Sequence, residues 1–397
     1  MKTFCFKLYN SEHNSKLMRL INIACLIYNH CVALHRRYYR LFGKYITANR
    51  LKTHLTKLKR TERFAYIRHL DAQGAQDIVE RIDRAYNLFW SSLKRKVKCS
   101  PPKFRKVRRY KSFTLKQTGW KLDEECGKIR IGKKWYRYFQ SRRIDGKVKT
   151  VTIKRDSVGD IYVYLVCHVQ SKGIESRTGK SIGFDFGLKK FLTGSDGHDI
   201  ESPYFFMQNV KAIRKKSCQL SRKQKGSRNW ERALIDLART YRRLENQRRD
   251  FHYKTARNLC EEYACICLET LNIKGMARRW GRKIHSLGFY SFVKILVCEA
   301  AKFGTQIIFV PMFYPSSQLC SVCGYKNPEV KNLNVREWDC LVCGSHHDRD
   351  RNAAINIHRA GASALSGGTV RPERSGGAVE AKIPRPYVWG VCQNAKS

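Results

Sequence analysis

The stretch CLVCGSHHDRDRNAAINI, Cys340 to Ile357, carries three signals in one short segment. A cysteine pair leads into two histidines, then into Asp348 and Asp350 flanked by arginines, then into a run of helical spacing. Ala353, Ala354 and Ile357 follow Asp350 at the intervals of one helix face. Asp350 is therefore expected in the first turn, on the side that packs against a sheet. Asp348 is better placed to cap the helix by accepting N–H bonds. Taken alone, capping accounts for both aspartates more cheaply than catalysis does.

Upstream, PSSQLCSVCG and EWDCLVCG place Cys320, Cys323, Cys340 and Cys343 in two CxxC knuckles, each followed by glycine. Two residues between thiolates let both sulfurs reach one ion while backbone N–H groups point at them, and the glycine permits the tight turn. Four thiolates describe a closed structural zinc ribbon that orders a module and does no redox chemistry. His346 and His347 are then unnecessary as ligands.

The rest of the chain is strongly basic, with 79 Lys and Arg against 32 Asp and Glu and a formal charge of +47. Such a surplus repels itself unless a polyanion neutralises it, and phosphate backbones do so with counterion release. Hydrophobic residues at 42% exclude a mainly disordered chain. Sixteen cysteines in 397 residues do not describe a small stapled scaffold. MKTFCFKLYN opens as an alternating strand rather than a secretory leader, so a reducing cytoplasm is expected, with most cysteines free. The run LINIACLIYNHCVAL (Leu20 to Leu34), interrupted by Asn22, Asn29 and His30, reads as a buried helix too short to span a bilayer.

Residues 1–10 read as a strand and 14–97 as helical, up to the Pro101-Pro102 boundary. YKSFTL, KIRI, KVKTVTIKR and DIYVYLVCHV then suggest a small barrel or sheet, completed by the first strand. FRKVRRYKSF and KKWYRYF interleave bases and aromatics there, a combination suited to single-stranded nucleic acid. An ordinary sheet with aromatics inside and cations outside explains any single one of these residues equally well. From Gly179 the pattern is strand, hairpin, basic helices over 204–258, strand, helix, strand, which is an α/β alternation. From 361 onward the sequence is rich in Gly, Ser and Pro and reads as a disordered tail.

Two further acids bear on Asp350. In SIGFDFG, Ile182, Phe184 and Phe186 share one face, while Asp185 points to the other beside Gly183. In ACICLETL, Glu269 ends an apolar strand. A carboxylate amid apolar strand residues is costly unless a positive charge meets it. Three acids on separate elements could converge at a sheet edge and hold two Mg²⁺ ions suited to phosphodiester cleavage.

These segments resemble, in order, the signatures of the TnpB family, transposon-encoded RNA-guided DNA endonucleases related to type V CRISPR effectors. The likeness is carried by GFDFGLKKFLTGSDG, CLETLNIKGM and CSVCG…CLVCGSHHDRDRNAAIN. It extends to KTFCFKLYNSEHN, QDIVERIDRAYNLFW and GSRNWERA…NQRRDFHYK. The resemblance implies a multidomain α+β chain. A wedge-like β-barrel would take 1–10 and 100–178, and a helical recognition region 11–99. A RuvC-type, RNase H-like nuclease would take 179–314 and, for its third motif, 346–360. The zinc ribbon would fill 315–345 and the tail 361–397. It implies that Asp185, Glu269 and Asp350 hold two Mg²⁺, with Asp350 preferred over Asp348 because it directly precedes the xNAA pattern. The implied partners are a guide RNA from the element and duplex DNA carrying a short flanking motif, the guide reading sequence by base pairing. A monomer in the cytoplasm, associated with the nucleoid if prokaryotic, is favoured. The competing readings are an RNA-guided repressor that binds without cutting, and a guide-free transposase or DNA-binding accessory protein. Aromatics flank Asp185 where the family more often has aliphatics.

Overall fold

The computed structural model describes residues 1–169 and 179–366. The chain divides into two compact units: Met1–Lys172 with Lys211–Arg243, and Gly173–Val210 with Leu244–Ser397.

In the first unit, β1 (Lys2–Lys7) is followed by α1 (Asn14–Phe42), α2 (Ala48–Leu58), a 3-10 segment over Glu62–His69, and α3 (Ala72–Lys94). Leu17, Ile21, Ala24, Tyr28, Cys31 and Val32 recur every three or four residues along α1 and form its buried stripe. The whole helix is long and apolar enough to cross a bilayer by length and composition, although half of that stretch is buried inside the protein. It packs in one core with Ile78, Ile82 and Tyr86 of α3. Gly43 ends α1 at φ 61°, its N–H on the Tyr39 carbonyl, a left-handed cap that glycine adopts without a Cβ penalty.

The strands that follow are β2 (Ser112–Leu115), β3 (Trp120–Asp123), β4 (Lys128–Ile131), β5 (Lys134–Arg137), β6 (Lys147–Arg155) and β7 (Ile161–His168). β1 does complete a sheet, in the order β1-β7-β6-β2, with Phe4 opposite Leu165 and Phe6 opposite Val163. The hairpins of β3, β4 and β5 form a separate three-stranded sheet. The two ladders are joined where Leu8 bridges Tyr138, with the Tyr9 N–H on Arg137 O and the Phe139 N–H on Lys7 O.

The second unit starts with β8 (Ser181–Phe186), β9 (Lys190–Gly194) and β10 (Ile200–Glu201). The basic helices α4 (Phe205–Ser221) and α5 (Arg228–Glu262) come next. Their middle portion, Lys211–Arg243, groups with the first unit although the sequence places 204–258 with the α/β segment. A charge contact explains this. Arg242 Nη1 lies 2.6 Å from Asp156 and also meets Asp160, both in the turn between β6 and β7.

β11 (Cys265–Glu269), α6 (Ile273–Leu287), α7 (Phe289–Phe303) and β12 (Gln306–Val310) continue the α/β pattern. Then come the short strands β13 (Glu337–Asp339) and β14 (His346–Asp348), and α8 (Arg349–Ser366). The sheet order is β10-β9-β8-β11-β12, with β8, β11 and β12 parallel and β9 antiparallel to β8. Period-two alternation divides its faces. Ile182, Phe184 and Phe186 pack with Leu259, Phe289 and Phe292 on one side. Cys267 and Val310 meet Ile357 of α8 on the other.

The first residues of the tail expected from 361 are helical instead, because α8 runs on to Ser366. Gly361 reads as a breaker but is a packing residue. A Cβ added there would stand 2.3 Å from the Cys267 sulfur. The rest of that tail, 367–397, lies outside the described residues.

Candidate metal centres

β8 and β11 run parallel with Phe184 opposite Leu268, so Asp185 and Glu269 are the next residues on adjacent strands, at their C-terminal ends. Both carboxylates draw on the backbone N–H of Phe186. Burial pushes Glu269 up to about 7. It pushes Asp185 well above the usual carboxylate range, and the charges of Glu269 and then Asp350 push it further. The Arg349 guanidinium opposes that rise. Two acids far away in sequence thus act electrostatically on Asp185.

Gly183 explains how the third acid arrives. A Cβ at this position would sit 2.5 Å from both the Ala354 carbonyl oxygen and the His358 nitrogen. Only glycine lets α8 cross β8 this closely. Asp185 lies two residues along the strand from that crossing, and Asp350 lies one turn back along the helix from Ala354, so both are on the same side of it. Asp348 is the cap that the sequence suggested: its Oδ1 accepts the Arg351 N–H at 2.8 Å.

The acids do not close into a compact ligand cage. Among the described residues, the four cysteines alone bring their ligand atoms within 4.8 Å of one another. Asp350 instead has Arg336 Nη1 3.5 Å from both of its oxygens. Arg349 is buried and donates to the carbonyls of Asn332 and Val335. Neither arginine was legible as part of the site, because in so basic a chain nothing distinguishes two more cations.

In the ribbon, Cys320 and Cys343 sulfurs are 3.6 Å apart and those of Cys323 and Cys340 3.5 Å apart. A tetrahedral ion with Zn–S bonds of about 2.3 Å needs S–S edges of roughly 3.8 Å, so the quartet fits zinc. Burial works against the Cys320 thiolate. Donors from Ser345, the Cys323 and Val322 backbone and His347 nevertheless bring it down to about 5. His347 Nε2 lies 3.1 Å from the Cys320 sulfur and so supports a ligand from outside the quartet.

Two amides tie this module to the helix of Asp350. Asn352 accepts the Ser321 N–H at 2.9 Å and donates to Leu319 O at 2.7 Å. Asn356 donates to the carbonyls of Ser316 and Leu319. Both side chains are buried. They lie four residues apart on one helix face. The sequence shows this pair as DRDRNAAIN, but what the asparagines hold becomes visible only in the fold.

A family model described as "Probable transposase" matches residues 164–279, and one described as "Cas12f1-like, TNB domain" matches 289–357. A Streptomyces pristinaespiralis protein is 27% identical over 94% of this chain and 92% of its own length. A protein of Escherichia coli K12, InsQ, is 28% identical over 93% and 94% respectively. Both are named "Putative RNA-guided DNA endonuclease". A "TnpB-like protein L79" of Acanthamoeba polyphaga mimivirus is 30% identical over 54% of this chain and 43% of its own. Among solved structures, the protein of a Cas12f1-sgRNA-target DNA complex shares the fold, with a TM-score of 0.55 at 16% identity over 88% of this chain and 83% of that one.

Proposed function

From the premise that this chain is of the TnpB family, we propose that it is an RNA-guided DNA endonuclease, encoded by a transposable element, that cuts beside a short flanking motif. The observation that carries the chemistry is that buried Asp185 feels the charges of Glu269 and Asp350, which lie on two other elements. A buried carboxyl driven upward by burial and by neighbouring carboxylates marks a pocket of uncompensated negative charge, which a divalent cation relieves. Oxygen donors of this kind suit Mg²⁺, and two such ions would supply an activated water and neutralise the leaving oxygen. The chain's own contribution is placement. β8 and β11 fix two carboxylates side by side, α8 brings the third, and Arg336 holds Asp350 until an ion competes for it. In this reading the α/β unit is a RuvC-type nuclease, the quartet holds one structural Zn²⁺, and the basic helices and sheets of the first unit grip the guide RNA.

The test is purification with co-expressed element RNA, sequencing of the bound RNA, and challenge with duplex DNA carrying a matching target and varied flanks. The expected outcome is a discrete RNA and Mg²⁺-dependent cutting that Asp350→Ala abolishes while RNA retention is unchanged. Cutting that survives Asp350→Ala would refute the acid assignment, and binding without cutting by the unaltered chain would make it a guided repressor.

A further inference from the structure

We propose that the cleft at the junction of the two sheets of the first unit captures one unstacked nucleobase of the bound guide RNA. This rests on the guided reading above and deepens it to a particular site. The cleft encloses about 380 Å³ and is lined by Tyr9, Asn10, His13, Trp135, Tyr136 and Arg137, among others. Tyr9 and Phe139 stack with centroids 3.7 Å apart, so one aromatic wall is already assembled. Tyr9, Phe139 and Trp135 are 44%, 45% and 42% exposed, so a ligand can reach them.

The walls are fixed by backbone rather than by loose side chains. The Tyr9 N–H bonds to Arg137 O, and the Phe139 N–H bonds to Lys7 O. The Tyr9 carbonyl accepts from Asn14 Nδ2 at 3.0 Å. Rigid aromatic faces of this kind bind bases without a large ordering cost. The cations select the charge of the occupant. Arg137 lies 5.8 Å from the Tyr9 ring and Arg130 5.9 Å from that of Trp135. Guanidinium groups beside the rings disfavour a cationic ligand and favour a flat π-system carrying a phosphate, which is a nucleotide. Unpaired bases of a folded RNA supply that chemistry. Displaced single-stranded DNA is the other source, and the experiment separates the two.

The full chain is purified with 4-thiouridine-labelled element RNA, irradiated, and its cross-linked peptides are mapped. A parallel arm uses unlabelled RNA and target DNA carrying 4-thiothymidine. The expected result is an RNA cross-link to the peptide holding Tyr9 or Trp135. RNA affinity should fall about tenfold in Trp135→Ala, the order of one lost base stack, and stay within about twofold in Trp135→Phe, with thermal melting unchanged in both. The proposal is overturned by the absence of a cleft cross-link, by a cross-link in the DNA arm alone, or by wild-type affinity in Trp135→Ala. Any of these leaves guided cutting intact. A purified wild-type chain that carries no discrete RNA overturns the guided reading together with this one.

Discussion

The ribbon and the acid pocket share the segment leading into α8 and are opposites in construction. Four cysteines lie in two short knuckles and gather within 4.8 Å of one another. The three acids come from β8, β11 and α8, the other two raise the proton affinity of buried Asp185, and they stop short of such a cage. The thiols are gathered by two local turns, and donors around Cys320 favour its thiolate. The carboxylates are brought from three elements and repel, so a cation is what relieves them. One site is chiefly structural, and the other keeps its electrostatic strain for use.

Glu269→Gln tests that difference most severely. It should reduce cleavage by roughly a thousandfold, the several kcal/mol at stake when a catalytic ion loses a ligand. Its pH behaviour sharpens the point. The folded Glu269 titrates near 7 against an ordinary 4.5, so its contribution to stability is present below about 4.5 and fades as pH rises through 7. Melting measured without divalent ions should fall across that window more in the wild type than in Glu269→Gln. The Mg²⁺-induced rise in Tm should be larger at pH 8 than at pH 6, because the ion must displace a proton. Parallel pH curves for the two proteins would contradict the electrostatic account.

Cys340→Ser asks how separate the two sites are. Removing one ligand should release zinc and unfold the ribbon, since metal binding there is folding free energy. Because Asn352 and Asn356 anchor α8 to that module, cleavage should fall by about two orders of magnitude as second-layer supports of a metal site are lost. Metal analysis paired with a cleavage assay decides it, and normal cutting by a zinc-free protein would show that the sites are independent. Asn352→Ala isolates the link. It leaves the quartet intact but strands the buried Ser321 N–H, at a cost of about 1–3 kcal/mol, while Leu319 O keeps the Asn356 amide. The expected result is full zinc content, a Tm lowered by several degrees, and a cleavage loss smaller than that of Cys340→Ser.

The same contrast sets what the sequence could reveal. A ligand set with CxxC spacing is legible because its partners lie a turn apart. The alternation of SIGFDFG correctly placed Asp185 away from the phenylalanine core, because period-two burial is a local property. That Gly183 admits a helix beginning only at Arg349, far later in the chain, is a long-range fact with no local mark. α6 escaped notice because Gly275 and Gly281 dilute its apolar pattern, while Asn272 supplies the cap that starts it. In the first half alternation gives the strands but not their pairing, which sorts them into two joined ladders. The middle of the basic helices went to the first unit through Arg242 and two aspartates, a partnership that charge counting cannot see.

β14 ends at Asp348 and α8 begins at Arg349, with no residue between them. During translation the ribosome delivers two of the acids long before it delivers the ribbon and the last. A partly made chain therefore carries an uncovered sheet and an unfinished pocket. On the proposed reading, hydrolytic competence would then wait for the completed polypeptide with its ribbon formed.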